Sequence, residues 1–97
     1  MSDLSRAVVL YVGWGEGLNP DEDPSRVIDE FGRYKGTALA GQARSIVEEL
    51  REIRPAQGDD DLAGASTMAV NRIASRHPTL DSDARSALEW LYSWWWR

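Results

Sequence analysis

Apolar residues recur along this chain at helical spacing, and the recurrence predicts five helices. Leu4, Ala7, Val8 and Tyr11 follow the i, i+3, i+4, i+7 pattern and share one face of a first helix over about residues 3–14, with Ser2 as its N-cap. A strand competes, because residues 7–12 are an unbroken run rich in β-formers. No second run offers a strand partner, however, and an isolated strand leaves its backbone groups unsatisfied. The helix is therefore the better reading.

Asp23 as N-cap and Pro24 at the favoured first position begin a short second helix, with Val27, Ile28, Phe31 and Tyr34 on its apolar side. Gly32 and Gly36 bracket its expected end. Over about residues 37–54, Leu39, Ala43, Ile46, Leu50 and Ile53 alternate spacings of four and three. That spacing makes a seam suited to packing along another helix, and Pro55 stops it. A fourth helix presents Leu62, Ala65, Ala69 and Ile73, mostly small side chains, and ends at His77-Pro78.

The last helix starts near Asp81 or Ser82. At ~100° per residue, Ala84, Leu88, Leu91 and Trp95 fall close to one line. Ala87, Trp90 and Trp94 spread to one side of that line and Tyr92 to the other. Trp96 points instead to the polar side, between Arg85 and Glu89. The pattern as a whole predicts an all-α fold, a small single-domain bundle of four to five helices over the 97 residues.

Composition adds limits. The chain has no cysteine, so disulfides and thiolate metal sites are excluded, which suits a reducing cytoplasm. Its acidic N-terminus and short apolar run do not resemble a signal peptide, and no stretch approaches the ~18 apolar residues of a membrane span. The expectation is a soluble, cytoplasmic protein with no membrane partner.

The net charge of −5 is unevenly distributed. Between positions 16 and 30, Glu16, Asp21, Glu22, Asp23, Asp29 and Glu30 face Arg26 alone, while the rest of the chain is balanced. An acidic patch attracts a basic protein and repels phosphates, which disfavours nucleic acid.

Known motifs fit poorly. Gly13 and Gly15 begin a Gly-x-Gly-x-x-Gly pattern, but Leu18 stands where the third glycine lets helix and strand pack closely. Asn19, Asp21, Asp23 and Glu30 occupy the first, third, fifth and twelfth places of a calcium loop. Pro24 then stands where that loop needs glycine for its sharp turn, and the cap reading of Asp23-Pro24 accounts for the same residues. Asp59-Asp60-Asp61 reads as acids at the positive end of a helix. His77, the single histidine, sits against Pro78 at a helix end, where a cation complements the helix dipole. No catalytic constellation and no cofactor are implied.

Tryptophan is the remaining signal: five in the chain, with Trp90, Trp94, Trp95 and Trp96 in the last eight positions. Trp95 is expected in the core, with Trp90 and Trp94 at its border. Trp96 is expected on the exposed side, and Trp14 lies in a glycine-flanked turn. Size, charge and aromatics together suggest a non-catalytic protein-binding module, an immunity- or antitoxin-like neutraliser or regulator of a basic partner. It would bind through Glu16, Asp21, Glu22, Asp23, Trp14 and Trp96. One alternative is a homodimer joined through Trp96 and the 39–53 seam. Another is a small metal-dependent protein using the acidic loops.

Overall fold

The computed structural model describes residues 2–55 and 62–96, in which the chain is all-α and forms a small five-helix bundle. In order these are α1 (Asp3–Val12), α2 (Pro24–Phe31), α3 (Arg33–Arg51), α4 (Leu62–Arg76) and α5 (Ser82–Trp96). None is long and apolar enough to cross a membrane. The Asp59-Asp60-Asp61 cluster lies outside the described residues.

The apolar run that resembled a strand is the centre of the molecule. α1 packs against α2, α3 and α5, and its residues from Ala7 through Val12 are all buried. Over these six positions the helix is covered on every side and keeps no polar face, whereas in its first turn Asp3 remains exposed and Arg6 partly so. Ser2 caps it, accepting from the Ser5 N–H at 3.1 Å. Ser5 is itself buried: its hydroxyl donates to the Thr79 carbonyl at 3.0 Å and accepts from the Asp81 N–H at 3.0 Å. These bonds tie the start of α1 to the turn before α5.

The boundary between α2 and α3 falls earlier than the glycines suggested. One residue, Gly32 at φ 87°, separates the helices, a left-handed conformation that costs glycine little. Gly36 does not end α2 but lies buried inside α3, where the helices cross. A Cβ there would stand 2.5 Å from the Ile28 Cα. Tyr34 moves with the boundary: it is 91% exposed on α3 rather than on the apolar side of α2.

The seam on α3 is occupied within the chain. Leu39, Ala43, Ile46 and Leu50 are buried and Ile53 is partly so, as α3 packs against α1, α2, α4 and α5. The seam is therefore covered within the chain itself. The small face of α4 permits its close approach to α5, with Ala65, Ser66, Ala69, Val70 and Ile73 buried. At the end of α4, His77 Nε2 lies 2.8 Å from Glu49 on α3, and Arg76 reaches the same carboxylate at 3.3 Å. The His77 contact holds the Glu49 carboxyl below the usual carboxylate range.

Candidate partner-binding surface

The loop from α1 to α2 shows what most of the acids do. α1 ends at Gly13, leaving carbonyls that need donors. The loop folds back to supply them, with the Asp21 N–H bonded to Val12 O at 3.1 Å and the Asp23 N–H to Tyr11 O at 2.9 Å. Arg26 completes the cap, donating from Nε to Leu10 O at 2.6 Å and from Nη2 to Tyr11 O at 3.1 Å. Its guanidinium also pairs with Asp21 and lies 3.5 Å from Asp23. Asp23 in turn caps α2, accepting from the Ser25 N–H at 2.9 Å and from its hydroxyl at 2.6 Å, which lowers the Asp23 pKa.

Glu22 reaches another element. It pairs with Arg51 at the end of α3 at 2.5 Å and accepts from the Tyr11 hydroxyl at 3.4 Å. Burial, reinforced by Glu22, raises the Tyr11 pKa. Arg51 also pairs with Glu48 at 2.9 Å and lies over the Trp95 ring, 4.7 Å from its centroid. Burial alone would lower the Arg51 pKa, and the two glutamates more than offset it. Glu30 pairs with Arg6 at 3.3 Å. Of the six acids in this segment, Glu16 and Asp29 have no ion pair among the described residues.

Among the tryptophans of α5, Trp95 is the one that departs from its wheel position. Trp95 points at the core but sits at the end of α5, where the bundle has run out, and is only partly buried beneath Arg51. The fully buried aromatic of α5 is Tyr92. Trp14 is also partly buried against the core. Trp96 is 39% exposed, its ring 6.2 Å from that of Tyr92. Trp90 and Trp94 are half-buried and line a cleft.

That cleft, of about 360 Å³, lies between the α1–α2 loop and the outer side of α5, walled by Leu18, Asn19, Leu62, Trp90, Ser93 and Trp94. Leu18 is 96% exposed. A second pocket of about 260 Å³ adjoins it, sharing Trp90 and Ser93 and running to Ser66, Thr67 and Glu89. Glu89 accepts from the Thr67 hydroxyl at 2.8 Å and has no ion pair among the described residues.

The structure thus holds Asp21, Glu22 and Asp23 in contacts within the chain, leaves Glu16 and Trp96 outward, and half-covers Trp14. Sequence reasoning missed Leu18, Trp90, Trp94 and Glu89 as one surface. The signal for Leu18 was present: an apolar residue within a Gly, Asn and Asp loop that no helical pattern absorbs. Among the described residues no three His, Asp or Glu side chains converge as metal ligands; in the calcium-like loop Arg26 pairs with Asp21 and Asp23, and Arg6 with Glu30. Comparison with protein families, with curated proteins and with solved structures found no match to this chain.

Proposed function

We propose that this chain is a non-catalytic protein-binding module that neutralises or regulates a basic partner, docking it at the cleft between Leu18 and the Trp90–Trp94 ridge. The observation that carries this reading is an almost fully exposed leucine across a cleft from two half-buried tryptophans, with Glu89 in the adjoining pocket and Glu16 in the same loop as Leu18 both lacking ion pairs among the described residues. Burying one leucine side chain is worth about 1.5–3 kcal/mol, and tryptophans are favoured anchors at interface centres. The net charge of −5 steers a cationic partner toward the molecule, and the two carboxylates fix its register. Immunity and antitoxin proteins work by this physical logic. The lack of cysteine is compatible with action in the cytoplasm.

In this reading Asp21, Glu22 and Asp23 contribute to the long-range field and build the loop, while direct contacts come from Glu16, Leu18 and the tryptophans. A photo-crosslinking residue placed at position 18 in the native host tests it. The expected product is one basic protein, whose affinity falls steeply with salt and drops at least about tenfold in Leu18→Ser and Trp94→Ser. A partner that binds both variants as tightly as the parent chain overturns the cleft as the docking site.

A further inference from the structure

We infer that the pocket at Glu89 receives the guanidinium of an arginine side chain presented by the basic partner, an assignment that rests on the docking reading above. The pocket's hydrogen-bonding chemistry points to a cation. Its hydroxyl donors are committed within the chain: Ser66 Oγ donates to Leu62 O at 2.8 Å, Ser93 Oγ to Trp90 O at 2.9 Å, and Thr67 Oγ1 to Glu89 Oε1 at 2.8 Å. These three hydroxyls and Glu89 therefore offer lone pairs and a second carboxylate oxygen as acceptors, leaving the indole N–H of Trp90 as the donor among the lining side chains. No cation of the described chain pairs with Glu89; Arg85, one turn earlier on α5, donates its Nε to Leu80 O at 3.2 Å. Trp90 adds an aromatic wall.

The chain already holds one cation in the same way. Arg51 lies 4.7 Å from the Trp95 ring centre and pairs with Glu22 at 2.5 Å and Glu48 at 2.9 Å. At the Glu89 pocket a tryptophan and a carboxylate recur, and the guanidinium is what the set lacks. Arginine suits it better than lysine, because a planar guanidinium stacks on an indole while its edge bonds a carboxylate. The adjoining Leu18 cleft then takes an apolar side chain near that arginine on the partner.

The test uses the full chain and follows the indole N–H signals by NMR. N-acetyl-arginine methylamide, its uncharged isostere N-acetyl-citrulline methylamide, and N-acetyl-glutamate methylamide are titrated separately. The arginine compound is expected to move the Trp90 signal saturably, at least about fivefold more tightly than citrulline. Glu89→Gln keeps an acceptor for Thr67 and should erase that difference with the melting temperature unchanged. Equal binding of arginine and citrulline, or preferential binding of the glutamate compound, overturns the assignment.

An amphipathic peptide of alternating leucine and arginine separates this inference from the docking reading. Weakening by both Glu89→Gln and Leu18→Ser is the expected result. Loss of binding in Leu18→Ser alone leaves the cleft as a docking site and refutes the arginine pocket. Insensitivity to both substitutions refutes the two together.

Discussion

The loop between α1 and α2 and the outer side of α5 are the two regions of unusual composition, one dense in carboxylates and the other in tryptophan. They differ in how their conspicuous groups are satisfied. A carboxylate is short and strongly hydrogen-bonding, so a nearby backbone N–H or guanidinium takes it up locally. Asp21, Glu22 and Asp23 consequently serve the end of α1, the start of α2 and the end of α3. An indole has a large surface that only packing can cover, and α5 has one core side for four of them. Tyr92 takes the fully buried place there, while Trp90 and Trp94 are left half-covered beside Leu18. In this chain the run of charge is absorbed by local caps and ion pairs, whereas the excess of aromatic residues over available core leaves apolar surface open.

The contrast breaks most sharply on α5. Tyr92→Ala should destabilise the fold by about 3–5 kcal/mol in urea unfolding, as expected for a fully buried aromatic, and Trp95→Ala by only roughly 1–2 kcal/mol. A larger loss for Trp95 than for Tyr92 would mean that the aromatic of α5 has been placed wrongly. Next, Arg26→Met should cost about 2 kcal/mol, because it removes charged donors from the Leu10 and Tyr11 carbonyls and leaves Asp21 unpaired. An unchanged stability would return the loop's acids to the role of an open patch.

The pH dependence sharpens the same point. Because the folded Asp23 pKa is depressed, chiefly by the Ser25 hydroxyl, its contribution is fully present above the ordinary Asp value near ~3.9. That contribution is lost as pH falls through the lower folded value. Asp23→Asn keeps a capping oxygen, so it should fold normally at neutral pH and lose urea midpoint less steeply on acidification. A slope equal to that of the parent chain would show that Asp23 is not stabilised in its charged form. The smallest effect belongs to the outward groups. Trp96→Ala, which removes a ring resting on Tyr92, should lower the urea midpoint less than Trp95→Ala, and Glu16→Gln should leave it unmoved at neutral pH; a clear shift for Glu16 would place that side chain inside the fold.

Much of the helical order followed from the sequence alone. Helical spacing identified the core side of α3 through Leu39, Ala43, Ile46 and Leu50, and the caps Ser2 and Asp23 marked two helix starts. Such features are local: periodicity and capping depend on residues within one or two turns. The same locality explains the misreadings. Gly36 carries turn chemistry in sequence, and only the crossing of α2 over α3 gives it a reason to lie inside a helix.

The candidate site was less legible because its parts are distant along the chain. Trp96 as outward followed from its wheel position, and the acidity of residues 16–30 was plain. What each acid bonds to, however, depends on Arg51 lying beside Glu22, a pairing across 29 positions. Leu18 likewise becomes meaningful only when the loop is laid beside Trp90 and Trp94. The sequence by itself determined five helices, the core side of α3 and a surplus of tryptophan at the end of the chain. The tertiary structure alone decided which charges are neutralised and which aromatics stay half-open, because both depend on groups that only folding brings into contact.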